Sequence, residues 1–236
     1  MANSLDLAEI ASLVGDPARA AMVNALMGGR ALTAGELAFL ARVSPQTASL
    51  HLRKLSAANL LSRVQQGRHH YFRIASPLVA TMMESIGAVA ALEAPPRSRR
   101  LSPADLKLRD ARMCYDHLAG RIAVAIADAM IARNFLVLDA DGGEVTPAGF
   151  GFFNNLGIDL ETHRRGRRAF CRPCLDWSER RYHLAGFTGA ALARHCEERG
   201  WIKRIRDSRA VIVTEPGRSE LRGLLGVDFL AEAKAA

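Results

Sequence analysis

The stretch VSPQTASLHLRKLSAANLLSRVQQGRHHYFRI constrains the fold of this chain more than any other. Ser44 followed by Pro45 is a helix N-cap with proline at the first helical position. Behind it Ala48, Leu52 and Leu55 recur at helical spacing and make one apolar stripe. Thr47, His51 and Lys54 keep the same spacing one residue earlier and make a polar one. A helix buried on one side and polar on the other is then followed by SRVQQ and HHYFRIA. These are two strand-like runs joined at Gly67-Arg68, which is the pattern of a β-hairpin.

The flanking residues extend the pattern. Asp16-Pro17 opens a helix through Met22, Val23 and Leu26 that stops at Gly28-Gly29. Thr33 caps the next, with Glu36 as its capping-box partner and Leu37, Leu40 and Ala41 on its apolar face. After the hairpin a helix is predicted from about 77 to 92, carrying Val79, Met82, Met83, Ile86, Val89 and Ala90. Helix, helix-turn-helix, hairpin, helix is the order of a winged helix.

Residues 5–92 resemble the arsenic-repressor (ArsR/SmtB) family of bacterial regulators. Ser44, Thr47, Ser49, His51 and Leu52, then Leu55, Leu60, Gly67, Arg68 and Phe72, fall on the family's recognition helix and wing. The resemblance implies a homodimeric repressor of double-stranded operator DNA, released by an effector that is commonly a soft metal ion. Read onto this chain, the DNA-binding residues are Ser44, Gln46, Thr47, Ser49, Leu50, His51, Arg53, Lys54 and Arg68. Gln46 suits adenine, Leu50 a thymine methyl, and Ser44, Arg53, Lys54 and Arg68 suit phosphates. Leu7, Ile10, Leu13 and Val14, with Val79, Met82, Ile86 and Val89, form stripes suited to a dimer. The family's usual metal positions fall in ELAFLAR and SPLVATMMESIGAVAALE, which contain no cysteine or histidine. A sensor, if present, lies elsewhere in the chain.

Composition agrees with a nucleic-acid partner. The 236 residues carry a formal net charge of +8 and 49% hydrophobic residues, enough for a core. Residues 1–94 hold eight Arg/Lys against six Asp/Glu, and 95–112 hold six against two, so the excess lies mostly beyond the winged helix. No apolar run approaches the roughly 18 residues of a membrane span, so a cytoplasmic chain with no membrane partner is expected. The four cysteines are expected to be reduced thiols.

Residues 93–103, with three prolines and three arginines, read as a linker. It separates a domain at 1–92 from one at 104–236. The second domain repeats itself: HLAG occurs at His117 and at His183, and the likeness continues through a turn and EVTPAG or VIVTEPG to LGID or LGVD. The expected units, about 114–160 and 180–230, each read as helix, hairpin, helix. Part of the second is similar to the wing of the multiple-antibiotic-resistance (MarR) family, without a recognition helix ahead of it. The fold class expected is therefore mainly α with small β-hairpins, an N-terminal winged helix-turn-helix plus a C-terminal tandem, degenerate winged-helix-like repeat.

Within that repeat CRPCLDWSERRYHLAG places Cys171 and Cys174 three apart. Cys171, Cys174 and His183 are candidate ligands of a zinc-like or soft divalent ion, with His163, His195 or Cys196 as further donors. Neighbouring Arg167, Arg168 and Arg172 are expected to favour thiolate, which serves metal binding and thiol oxidation alike. Three readings stay open: a metal site, a thiol or small-molecule sensor built on Cys174, Trp177 and Arg180, and plain burial. His117 and His183 are expected at equivalent helix starts with a structural role, and Asp176 and Glu179 at a charged helix start. No nucleophile, base and orienting acid stand together, so an enzyme is not expected. The competing class is a thiol-redox or metal-binding protein that uses Cys171 and Cys174, its winged helix serving as an interaction module.

Overall fold

Two compact units make up the chain, Met1–Met83 and Glu84–Ala236. The computed structural model describes residues 4–67, 69–93, 103–163 and 169–227. Arg68, Arg167, Arg168 and most of the expected linker lie outside the described residues.

The first unit begins with α1 (Ser4–Gly15) and α2 (Pro17–Leu26), followed by β1 (Leu32–Thr33), α3 (Ala34–Ala41) and α4 (Pro45–Ala57). The wing strands β2 (Leu61–Gln66) and β3 (His69–Ile74) come next, and then α5 (Pro77–Glu93), which runs across the division. Helices α2, α3 and α4 start where their cap chemistry places them. Asp16 accepts from the Arg19 amide at 2.9 Å, Thr33 and Glu36 form a reciprocal capping box, and Ser44 accepts from the Thr47 amide at 3.1 Å. Arg42, left-handed at φ 55°, ends α3 and makes the turn into α4. Met22, Val23, Leu26, Leu37, Leu52 and Leu55 are buried together with Phe72 and Ile74 of the wing. The sheet order is β1-β3-β2, all antiparallel, with Leu61 opposite Ile74 and Gln66 opposite His69. Strand β1 is unexpected from sequence, since two residues carry no period.

In the second unit α6 (Pro103–Asp110) precedes β4 (Arg112–Cys114), β5 (His117–Ala119), α7 (Arg121–Ala132), β6 (Leu136–Leu138), β7 (Gly143–Val145) and α8 (Pro147–Asn155). A short 3-10 turn follows, and then β8 (Arg172–Leu175), β9 (Tyr182–Ala185), α9 (Gly186–Glu198), β10 (Ile202–Arg204), β11 (Val211–Val213) and α10 (Glu215–Leu225). Hairpin, helix, hairpin, helix thus occurs twice in succession.

One expectation is corrected here. HLA does not begin a helix in either place but forms strands β5 and β9, and the helices start only beyond it. Gly120 (φ +90°) and Gly186 (φ +82°) make the sharp corner from strand to helix. A Cβ at either would lie 2.7 Å from the Arg109 carbonyl oxygen or 2.8 Å from that of Ala169, so a side chain is excluded. One apolar cluster fills the unit, including Ile122, Ile126, Met130, Leu136, Phe153, Leu192, Trp201, Val213 and Leu221. Helix α7 packs on β9 and α9 on β5, so each helix rests on the other segment's hairpin. Among the described residues no helix is long and apolar enough to cross a membrane.

Candidate functional site

The first candidate site is the outer face of α4. Ala48, Leu52 and Leu55 are buried, which turns Gln46, Thr47, Leu50, Arg53 and Lys54 outward. The expected DNA-binding residues are not alike in how free they are. The Ser44 and Thr47 hydroxyls lie 2.9 Å apart and Ser49 donates to the Pro45 carbonyl, so these three side chains also stabilise the start of the helix. His51 is half-buried, with its Nδ1 3.2 Å from Arg19 Nη1. Arg19 in turn donates to the Ser12 and Leu13 carbonyls at the end of α1. His51 therefore joins α4 to α2 as well as facing outward. Arg68 lies outside the described residues.

The second candidate site is buried in the second unit. Cys114, His117, Cys174 and His183 each offer one donor atom, and these atoms all lie within 4.8 Å of one another. Strand register brings them together: Cys114 faces His117 across the β4–β5 hairpin, and Cys174 faces His183 across β8–β9. The two sulfurs are 3.9 Å apart and the two imidazole rings are stacked with centroids 5.2 Å apart. All four residues are buried, and Ala119 and Ala185 complete the wall around the sulfurs. Among the described residues, His117 Nε2 and both nitrogens of His183 have no hydrogen-bond partner.

Two aspartates stand behind the imidazoles. Asp116 Oδ1 is 3.2 Å from His117 Nδ1, and Asp176 Oδ2 is 3.5 Å from His183 Nδ1. Asp176 is wholly buried. It accepts from Arg112 Nη2 at 2.9 Å, from the Gly120 amide at 2.6 Å and from the Ser178 amide and hydroxyl at 2.9 and 2.7 Å. Burial alone would raise the Asp176 carboxyl, but the Arg112 charge and the hydrogen bonds hold it below the usual carboxylate range. The hydrogen bond from Cys114 draws the Cys174 thiol down despite its burial, with His117 and His183 adding to the effect, while Cys114 is pushed up. Burial lowers His117, yet Asp116 and the nearby Cys174 outweigh it and leave the imidazole raised.

The pairing expected of Cys171 and Cys174 is corrected by this geometry. Cys174 lies on strand β8, whereas Cys171 lies in the bend that precedes it. Cys171 lies in the main apolar cluster, packed near Gly143, whereas Cys174 lies with Cys114. Burial pushes the Cys171 thiol up to about 12, so it is not the arginine-activated thiolate the sequence led us to expect. Cys196 is buried in the same cluster and likewise pushed up to about 12. His195 sits edge-on to Trp201, 5.1 Å between ring centroids, away from the cysteine pair. Trp177 supports the site from outside, its ring 4.5 Å from the Arg112 guanidinium carbon, and Arg180 is exposed in the turn at φ +57°. Asp176 and Glu179 are not at a helix start: they belong to the turn between β8 and β9.

Cys114 and His117 are the donors that sequence reasoning missed as a pair. A signal existed: Arg112-x-Cys114-x-Asp116 precedes the first HLAG, and Arg172-x-Cys174-x-Asp176 precedes the second. A six-residue difference between cysteine and histidine hid the match.

The fold of the first unit and its outward recognition helix define a winged-helix DNA-binding protein. Residues 14–64 match the helix-turn-helix domain model. The chain is 43% identical over 213 residues to the HTH-type transcriptional regulator YdfF of Bacillus subtilis (strain 168), covering 90% of this chain and 94% of that one. It belongs to that family of helix-turn-helix transcriptional regulators, and is a DNA-binding regulator rather than an enzyme. Among solved structures it is similar to NolR from Sinorhizobium fredii, with 27% identity and a TM-score of 0.34 over 38% of this chain and 86% of that one. It is also similar to the transcriptional repressor PagR of Bacillus anthracis, at 28% identity and a TM-score of 0.32 over 35% of this chain and 93% of that one.

Proposed function

We propose that the chain is a homodimeric repressor of the ArsR type, acting in the cytoplasm, whose operator affinity is set by an effector held in the second unit. The observation that carries this reading is the outer face of α4, where Gln46 and Leu50 stand exposed between the cations Arg53 and Lys54. Such a face reads base edges with its centre and grips phosphates with its flanks. Leu7 on α1 and Leu78, Ile86 and Val89 on α5 are exposed apolar side chains, and a second copy of the chain is the partner that would cover them. The domain plan is 1–92 for DNA and dimer contacts, 93–103 as linker and 104–236 for the effector.

The second unit is read as one duplicated element. Arg112 pairs with Ala119 as Arg172 pairs with Ala185, and Cys114 with His117 as Cys174 with His183. Thr146 donates to the Asn134 carbonyl and caps α8 at Gly149, just as Thr214 donates to the Gly200 carbonyl and caps α10 at Gly217. An effector site made jointly by two such hairpins suits a soft metal ion better than an oxidant or an organic ligand, because it is lined by thiols and imidazoles and closed to solvent.

Operator selection from genomic fragments, followed by titration across salt concentrations, tests the DNA reading. Gln46→Ala is expected to relax base preference, and Lys54→Ala to weaken binding on all sequences alike. Unchanged binding and preference in both variants would overturn it.

A further inference from the structure

We propose that Cys114, His117, Cys174 and His183 form a closed tetrahedral site for one zinc-class divalent ion, and that this ion clasps the β4–β5 hairpin to the β8–β9 hairpin. The inference deepens the effector reading of these same two hairpins and rests on it for any regulatory role, while the metal itself is tested without DNA, so that the two can fail separately.

Distance sets aside a disulfide and fits two ligands of one ion. A tetrahedral ion with Zn–S bonds of about 2.3 Å holds its two sulfurs about 3.8 Å apart. Cys114 and Cys174 stand at 3.9 Å. A disulfide needs sulfurs at about 2.05 Å, so the pair is spread to the separation of two ligands rather than drawn to that of a bond. The four donor atoms fall within 4.8 Å of one another, which leaves a contraction of about an ångström at the widest pairs to reach zinc–nitrogen and zinc–sulfur geometry.

The unpartnered atoms point the same way. Buried imidazole nitrogens are ordinarily satisfied, and three are not here: His117 Nε2 and both nitrogens of His183. Plain burial leaves these groups desolvated with nothing in exchange, whereas one ion takes up a nitrogen from each ring and both sulfurs at once. The outer partners are also those a metal-bound histidine uses. Asp116 on His117 Nδ1 fixes that ring's tautomer and leaves Nε2 as the donor, and Asp176 stands 3.5 Å from His183 Nδ1, placed to take up that nitrogen's proton contact once Nε2 is on an ion. Asp116 and Asp176 are thus positioning residues. Asp176 is itself anchored by Arg112 and Gly120, so the second hairpin's loop orients its own histidine while holding the first hairpin.

All four coordination positions come from the protein and all four residues are buried, so no position is left for water or substrate. A site of that kind binds and holds rather than catalyses. Its ligands pair as C-x2-H and C-x8-H, one pair from each hairpin, so neither hairpin can complete it alone.

The full chain, purified in reductant with zinc present, is expected to carry about one metal equivalent by elemental analysis, as a four-ligand site requires. After exchange with Co2+ it is expected to show the intense visible bands of a tetrahedral ion and thiolate charge-transfer absorption. Cys114→Ser and Cys174→Ser are each expected to lose roughly half of that charge transfer, and Cys171→Ser and Cys196→Ser none. Because a serine variant can fail to fold, alkylation of the unaltered protein gives a second reading. Metal protects Cys114 and Cys174, and a chelator exposes those two in particular. Absence of bound metal from zinc-replete protein, a weak octahedral cobalt spectrum, dependence on Cys171, or a Cys114–Cys174 disulfide in reductant would each overturn the proposal.

Discussion

Cys114 and Cys174 belong to hairpins sixty residues apart, yet their sulfurs meet at 3.9 Å behind the small side chains of Ala119 and Ala185. Each alanine lies two residues past its hairpin's histidine, and both are fully buried. If one ion occupies the space between the sulfurs, it stabilises the folded second unit by mass action. At a free metal concentration a thousand times Kd the gain is about 4 kcal/mol. Chelation should therefore lower the unfolding temperature, and zinc should restore it, as read by calorimetry. Operator affinity measured on the same two samples separates the questions. A stability change without an affinity change leaves the metal site standing and removes metal as the effector.

Arg112 and Asp176 are both fully buried, and their charges are compensated chiefly by each other. Removing one partner of such a pair strands the other charge, at a cost of about 3–5 kcal/mol. Asp176→Asn is expected to destabilise the second unit by that order in urea unfolding, although the side chain keeps its shape. Arg112→Met combined with Asp176→Leu should cost less than the sum of the single changes. Additive costs would show that the two residues act independently.

Most of the N-terminal winged helix was legible because its capped helices and its wing are announced locally. Asp16-Pro17, the Thr33 and Glu36 box and Ser44-Pro45 are cap signals, and the observed helices begin where these put them. Strand β1 was not legible, since Leu32 and Thr33 become a strand only by pairing with Phe72 and Tyr71. The buried cysteine and histidine cluster was half legible. Cys174 and His183 could be named from the sequence, but the site is assembled by register across two hairpins, and Cys171 drew attention by proximity along the chain alone. The strand at HLA was misread for a related reason: three residues ending in a glycine corner carry too short a pattern to be told from a helix start.

Among the residues of α4, His51 and Lys54 should separate by what they disturb. His51 meets Arg19, which holds the end of α1, whereas Lys54 is exposed. His51→Ala is expected to lower folding stability by about 1 kcal/mol, the worth of an ordinary side-chain hydrogen bond. Lys54→Ala should leave stability unchanged within error and reduce the slope of log K against log salt by about one. Chemical unfolding and DNA titration of both variants check this. A stability loss in Lys54→Ala and none in His51→Ala would reverse the assignment.

Asp16 supplies a pH-dependent part of the first unit's stability. Its carboxylate accepts from the Arg19 amide, which holds its pKa below the usual carboxylate value. A depressed folded pKa means that the contribution is present above the unfolded value, about 3.9, and is lost as pH falls through the folded one. Asp16→Ala should thus cost about 1 kcal/mol at neutral pH, as loss of an N-cap does. The gap between variant and parent should close progressively below about pH 4. A gap that persists into strong acid would mean that the residue acts by something other than its charge.

Glycines test the duplicated plan of the second unit without reference to metal or DNA. A Cβ on Gly149 would stand 2.0 Å from the Phe135 carbonyl oxygen, and one on Gly217 would stand 2.1 Å from that of Trp201. These are the same contact made once in each half, between the first turn of a helix and the residue entering the preceding hairpin. Both atoms met are backbone, so neither can turn aside. Gly149→Ala and Gly217→Ala are each expected to destabilise by about 1–3 kcal/mol or more, by overpacking. Gly151 and Gly223 lie on the same two helices, exposed and with nothing within 4 Å of the added carbon. There alanine should stabilise by about 0.5–1 kcal/mol through helix propensity alone. One urea series decides the matter: losses at both Gly149 and Gly217 support the duplicated plan and a split in sign between them removes it, while the gains at Gly151 and Gly223, which are not equivalent positions, show what the substitution does where there is space.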